Sequence, residues 1–423
     1  MSSKPGAGIT GAGINRTRVG MAILGGVILL AGLGAAEDWT QWRGPSRDGT
    51  VSEFRSPQAW PQNLKQAWKL EVGEGYATPV VVGNRIYMFT RKGGDEVMRE
   101  LDAATGRVLW DNSYPAAFTM NGSAARHGPG PKSTPAFSSG KLYTIGMPGT
   151  VTAFDAATGK ILWQKPGDPD HLPLYTSHSF SPVVTGGLVI FHPGGHNKGA
   201  LTAYDANTGD VKWSWEGDGP GYGSPLLVDI AGTRQIVTQT QTKLVGVDAA
   251  TGALLWEQPF ASTNSTNSIT PVQYGQSFIV SNNTLPTTAV SVSKENNRWI
   301  PRVGWTNAEI PMRMTSGVMV GDVFFSLTIR NSGQYYSLDA KTGEILWRSE
   351  PRQADNAALL KLGDLVMSLE ADGELVLFRP GRASFEEVKR YKVADEPTWT
   401  QPVILGDGVL VKDVTTLAYW TWN

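Results

Sequence analysis

The sequence predicts an eight-bladed β-propeller, on three observations. Eight aromatic residues, Trp68, Trp110, Trp163, Trp213, Trp256, Trp305, Trp347 and Tyr391, follow one another at intervals of 42, 53, 50, 43, 49, 42 and 44 residues. Five of them end one phrase: DAATGRVLW at 102–110, DAATGKILW at 155–163, DANTGDVKW at 205–213, DAATGALLW at 248–256 and DAKTGEILW at 339–347. Short apolar openings such as ATPVVVG (77–83), SPVVTGG (181–187) and QPVILGD (401–407) recur with the same period, again eight times. A fixed period of about 40–50 residues in a strand-rich chain marks propeller blades.

One blade, 181–213, shows how the residues build the unit. SPVVTGGLVIFH carries two β-branched runs broken by Gly186-Gly187, which reads as strand A, a tight turn and strand B. ALTAYD is strand C and VKWSW is strand D, joined by the turn DANTG. An Asp at the head of that turn accepts hydrogen bonds from the turn's own amides, and the Gly takes a left-handed φ. The pairs Asp102/Gly106, Asp155/Gly159, Asp205/Gly209, Asp248/Gly252 and Asp339/Gly343 fill these roles. The following Trp is placed to wedge between blades, burying ~150–250 Å². Two repeats, at 291–305 and 379–391, lack the Asp-Ala-x-Thr-Gly turn but keep strand character.

The last repeat supplies three strands over 401–422 and then stops. KQAWKLEV (65–72) stands before the first strand A and contains Trp68, so it is expected to complete the last blade and close the ring. The domain plan is then a signal peptide at 1–36, an aromatic-rich lead-in at 37–64 and the propeller at 65–423. The lead-in, with Trp39, Trp42 and Trp60, is too apolar for a free tail. It is expected to lie along the propeller, to cover one end of the channel or to dock on a partner.

Composition narrows the function. With 37 basic and 38 acidic side chains there is no electrostatic footprint for nucleic acid or anionic membrane. The absence of cysteine excludes disulfides, thiolate metal sites, thiol catalysis and lipidation through sulfur. Lys4, Arg16 and Arg18 lead into the apolar run 19–33, and Gly34, Ala35 and Ala36 follow it. That layout predicts a signal peptide cleaved after Ala36, hence a periplasmic or secreted protein; an uncleaved inner-membrane signal anchor is the alternative.

These phrases resemble the quinoprotein-type repeat. It is shared by eight-bladed dehydrogenases that bind pyrroloquinoline quinone (PQQ) and by the BamB lipoproteins of outer-membrane protein assembly. The segment DWTQWRGPSRDGTV (38–51) looks like the lead-in of exported PQQ-binding-like propeller proteins. The dehydrogenase resemblance implies PQQ and calcium in the channel with a carboxylate base, acting on alcohols or sugars, yet no segment matches the calcium ligands or the base. The BamB resemblance implies a non-enzymatic, monomeric scaffold without cofactor that binds another envelope protein; the lipidated cysteine of BamB has no counterpart. It would reach a membrane only through the signal segment or a partner.

All five histidines fall within 70 residues, in long loops expected on one face. His127, His178, His192 and His196 are candidate ligands for zinc or copper, or an acid–base pair. The competing reading has them capping loops or contacting a partner, as assigned to His171. GDGPGYGSP (217–225) reads as a flexible connection. In EIPMRMTSG (309–317), Met312, Arg313 and Met314 either pack the loop or, with Arg126, form an adaptable contact surface.

Overall fold

The computed structural model describes residues 37–167, 175–263 and 267–423. Eight four-stranded antiparallel blades stand around one axis. Blades 1 to 7 span 80–115, 136–165, 183–215, 226–259, 272–307, 318–348 and 357–392. Blade 8 takes its inner strands from 403–421 and its outer strand from Lys65–Glu71, which runs antiparallel to Thr416–Thr421. The ring therefore closes with a hydrogen-bonded sheet, as expected. Loops joining D to A and B to C form the top face, and the A-to-B and C-to-D turns form the bottom.

The repeated phrase works through two contacts. Asp205 Oδ1 accepts from the amides of Asn207 and Thr208 at 2.9 and 3.1 Å, fixing the turn. Gly209 sits at φ +73°, and the Trp163 indole of the preceding blade lies against its Cα. Trp163 Nε1 donates to the Ala206 carbonyl at 3.3 Å. Both contacts recur from Trp68 to Gly106 and Ala103, from Trp213 to Gly252 and Ala249, and from Trp305 to Gly343 and Ala340, while Trp110 keeps only the ring contact with Gly159. Where the turn is missing, the bond is re-routed: Trp256 donates to Gln235 of its own blade at 2.8 Å, and Trp347 to the Gly381 carbonyl at 2.8 Å.

At the top of the channel a belt of hydroxyls links the starts of neighbouring A strands. The amides of Thr78, Thr134 and Ser181 donate to the side chains of Thr134, Ser181 and Ser224 in the next blade, at 3.1, 2.9 and 3.0 Å. Thr270 donates to Ser316 at 2.9 Å, and Gln401 to Thr78 at 3.1 Å.

The lead-in goes further than covering an end: residues 38–51 enter the channel from below and plug it. Trp39 pairs with Val81 of blade 1, and the Phe137 amide of blade 2 donates to Thr40. Arg47 reaches the Ser181, Pro182 and Pro225 carbonyls of blades 3 and 4 at 2.9, 2.8 and 2.7 Å. Trp42 Nε1 donates to Thr270 Oγ1 of blade 5 at 2.8 Å. Arg43 donates to the Ser316 and Gly317 carbonyls of blade 6 at 3.0 and 2.6 Å. Thr50–Val51 pairs in parallel with blade 7. The segment is thus bonded to blades 1 through 7. Both guanidiniums are buried against carbonyl dipoles rather than carboxylates, and burial lowers them to about 10 for Arg43 and about 9 for Arg47. Both stay charged at neutral pH.

Candidate functional site

With the channel plugged, the space above Trp42 becomes a blind cavity of about 430 Å³ opening on the top face. Its walls are Tyr76, Tyr175, Tyr222 and Trp399, and its basic side chains are His127, Lys132 and Arg313. Ser224, Thr270, Asn283 and Asn356 add hydroxyl and amide groups.

Each basic group is set by local structure. Asn121 caps a short 3₁₀ helix, Gly122–His127, by accepting from the Ser123 amide at 3.0 Å. The last turn then aims His127 at Trp399, with ring centroids 5.0 Å apart, and lays the Arg126 guanidinium 5.7 Å from the centre of the same indole. Lys132 Nζ donates to the Gly128 and Gly130 carbonyls at 3.0 and 2.9 Å. Arg313 stands between two anchors. Met312 is buried in the core, its amide donating to Ser281 Oγ at 2.9 Å, and Thr315 Oγ1 donates to Asn356 at 2.9 Å. Arg313 itself is half-buried and, among the described residues, makes no hydrogen bond or ion pair.

The field in this cavity is positive. Burial, then Arg126, Lys132 and Arg313, hold the His127 imidazole down at about 4. Burial also lowers Lys132 to about 8, with Glu96 opposing. No described lining residue is a carboxylate. Neighbouring acids stand outside the lining: Glu96 accepts from Tyr114 Oη at 2.7 Å, Asp413 accepts from the Thr416 amide at 2.7 Å, and Asp413, Glu396 and Glu74, after burial, raise the wall residue Tyr76.

The four described histidines occupy one side of the top face but are not gathered at a point. His178 Nε2 lies 2.9 Å from the Gly194 carbonyl, beside a separate groove of about 820 Å³ between blades 2 and 3. Buried His192 bonds the Asp218 carbonyl at 3.1 Å, and His196 Nδ1 lies 2.6 Å from the Gln241 amide nitrogen. Among the described residues no three His, Cys, Asp or Glu side chains are placed to share a metal ion. His171 lies outside the described residues. Met312, offered as a surface contact, is a core residue because it fills the seam between blades 5 and 6; Arg313 and Met314 face the cavity.

The 217–225 connection is fastened rather than flexible. Asp218 accepts from Thr240 Oγ1 at 2.6 Å and from the Thr242 amide and hydroxyl at 2.7 Å each, while Gly223 packs on the Ile269 backbone. That rigidity holds Tyr222 at the cavity wall. The sequence does not identify Trp42, Lys132, Tyr175, Tyr222 and Trp399 as site residues, because nothing local marks which loop side chains converge on the axis.

This architecture defines a plugged, eight-bladed propeller of PQQ-type repeats with a cationic aromatic pocket on its axis. The profile of the outer membrane protein assembly factor BamB family matches residues 59–128, 95–325 and 302–414, and the chain belongs to that family. BamB from Moraxella catarrhalis superposes with TM-score 0.60 at 15% identity, covering 85% of this chain and 97% of that one. The quinohemoprotein alcohol dehydrogenase ADHIIG from Pseudomonas putida HK5 gives TM-score 0.61 at 16% identity, covering 93% of this chain and 81% of that one. Among curated relatives, the dehydrogenase subunits of the quinone alcohol dehydrogenases from Gluconacetobacter polyoxogenes and Komagataeibacter europaeus are 31% and 33% identical over 147 residues. That stretch is 33% of this chain and only 19% of each relative's length. No helix among the described residues is long and apolar enough to cross a membrane.

Proposed function

We propose that this chain is an exported, non-enzymatic β-propeller scaffold of BamB type, presenting its top face to another envelope protein. The observation that carries this reading is the lining of the axial cavity, which holds cations, aromatic rings and neutral polar groups but no described carboxylate. Calcium takes six to eight oxygen ligands, with carboxylates chief among them. A dehydrogenase also needs a base within hydrogen-bond reach of the proton it removes. His127 is bonded to Arg126 and depressed to about 4, so it supplies a weak base at best. A flat organic anion suits the rings and cations; calcium and a carboxylate base do not suit this lining. The likeness to quinone dehydrogenases therefore lends support to a shared fold more than to a shared reaction.

The test is a titration of the purified protein with PQQ, with and without calcium, followed by dye reduction with primary alcohols and aldoses. The scaffold reading expects no calcium-dependent binding and no dye reduction. Saturable, calcium-dependent binding with dye reduction would overturn it.

A further inference from the structure

We propose that the crevice between blades 1 and 2 on the lower face binds a neutral pyranose sugar. Glu100, Arg85, Tyr87 and the Ala156 carbonyl would meet its hydroxyls, and the rings of Trp110 and Phe137 its apolar face. The site lies off the axis, on the face opposite the partner surface proposed above, and adds a separate binding activity.

Glu100 breaks a packing rule that the other blades keep. Across the sheet from Trp163, Trp213, Trp256, Trp305 and Trp347 stand Ala153, Ala203, Gly246, Ala289 and Ser337, all small. Space requires this, since a Cβ added to Gly246 would lie 2.1 Å from the Trp256 indole nitrogen. In blade 1 the residue opposite Trp110 is Glu100, which is buried. Its carboxylate pairs with Arg85 at 3.2 Å. Burial pushes that carboxyl up, with Arg85 and the Trp110 indole opposing. A buried acid where packing reserves room for a small side chain costs stability, and local conflicts of this kind concentrate at functional sites.

The same seam leaves polar groups unmet. Between blades 2 and 3 the Ala206 carbonyl accepts from Tyr143 Oη at 3.0 Å and from Trp163 Nε1 at 3.3 Å. The equivalent groups between blades 1 and 2 are the Ala156 carbonyl, Tyr87 Oη and Trp110 Nε1. Among the described residues neither donor bonds that carbonyl. An acceptor and a hydroxyl are thus left over beside a carboxylate and a guanidinium.

These groups line an open crevice of about 680 Å³ between the bottom turns of the two blades. That volume lies within the ~300–1,000 Å³ usual for small-molecule sites. Its charges cancel, Arg85 and Lys141 against Glu100 and Asp155. Balanced donors and acceptors favour a neutral ligand that offers both, as adjacent hydroxyls do. The apolar wall is aromatic: Tyr87 lies 5.9 Å from Phe137 and nearly parallel to it, and 6.2 Å from Trp110. Trp110 and Phe137 are only half-buried, so their rings are available to the C–H face of a sugar.

The test titrates the purified protein with glucose, galactose, mannose, N-acetylglucosamine and their disaccharides, beside glycerol and phenethylammonium. Saturation-transfer NMR and calorimetry read the binding. At least one sugar of this panel is expected to bind saturably, and glycerol, which has no ring face, not at all. Glu100→Ala should weaken that sugar at least about tenfold, the factor a charge-assisted hydrogen bond contributes. The same variant should unfold in denaturant at an unchanged or higher midpoint, because alanine lets Trp110 reach the Ala156 carbonyl as in the other seams. Tyr87→Phe removes one hydroxyl with the packing kept and should weaken the sugar severalfold. No binding by any sugar, undiminished binding by Glu100→Ala, tighter binding of phenethylammonium than of every sugar, or a lowered midpoint for Glu100→Ala would overturn the assignment.

Discussion

The Trp163 indole lies over the α-carbon of Gly209 in the next blade, so close that a Cβ added there would stand 2.7 Å from the ring. Glycine is thus required twice at this position, once for φ +73° and once as a flat surface for the neighbouring ring. Gly209→Ala is expected to destabilise the propeller by about 2–4 kcal/mol, combining left-handed strain with overpacking. Denaturant unfolding measures this. The control is Gly186→Ala, a glycine of similar φ (+57°) with nothing near its Cβ, which should cost only the conformational part. Equal losses at both sites would refute the ring-contact account.

What the sequence made legible follows from period. A Trp every 42–53 residues reports a repeated contact, so blade number and ring closure could be read from spacing alone. The Gly209 partner of Trp163 could not, because that contact crosses between repeats and the turn already explained the glycine. Arg43 and Arg47 carry no legible signal for a related reason: two arginines in a short lead-in normally signify solvent. Here they are buried on backbone carbonyls that no side-chain pattern encodes. The axial cavity was hidden likewise, since Trp42, Lys132, Arg313 and Trp399 are brought together by the ring and by nothing in their local sequence.

Arg47 is expected to act as the pin of the channel plug. Arg47→Met keeps the length of the side chain but strips acceptors' partners from the Ser181, Pro182 and Pro225 carbonyls. Orphaned buried carbonyls cost about 1–3 kcal/mol each before water or relaxation relieves them, so a net loss of about 3 kcal/mol is expected. Hydrogen exchange at the Trp39, Val81 and Phe137 amides should rise selectively, since those amides depend on the seated plug. Unchanged exchange in the lead-in would show that Trp39 and Thr50–Val51 hold it unaided.

Glu370 sets a pH dependence of one sign. Its side chain is buried, accepts from Tyr335 Oη at 2.7 Å and pairs with Arg390 at 2.7 Å. Burial nevertheless pushes it up to about 7 from the ordinary 4.5, the hydrogen bonds and Arg390 opposing. The folded chain then holds a proton between these values that the unfolded chain releases. This group's contribution is therefore full below pH 4.5, declines as pH rises to about 7 and is flat above, with a slope of at most about 1.4 kcal/mol per pH unit. Glu370→Gln should remove that decline from the stability curve. A difference curve flat from pH 4.5 to 7 would show that Arg390 keeps the carboxylate ionised throughout.

His192 acts in the opposite direction over an overlapping range. It is enclosed in blade 3, bonds the Asp218 carbonyl and meets Phe180 edge to face at 6.0 Å. Burial lowers it to about 4 from the ordinary 6.5, outweighing the pull of Asp218. Between these values the unfolded chain takes a proton that the folded chain refuses, so stability present above pH 6.5 is lost as pH falls toward 4. His192→Phe cannot titrate and should lose about 1 kcal/mol at pH 8 with the Asp218 bond. Below pH 6.5 the deficit should shrink and then reverse, because only the wild type continues to weaken through this residue. Chemical denaturation at half-unit steps from pH 8 to 4 follows the difference, and parallel curves would mean that the imidazole charges in place or titrates alike in both states.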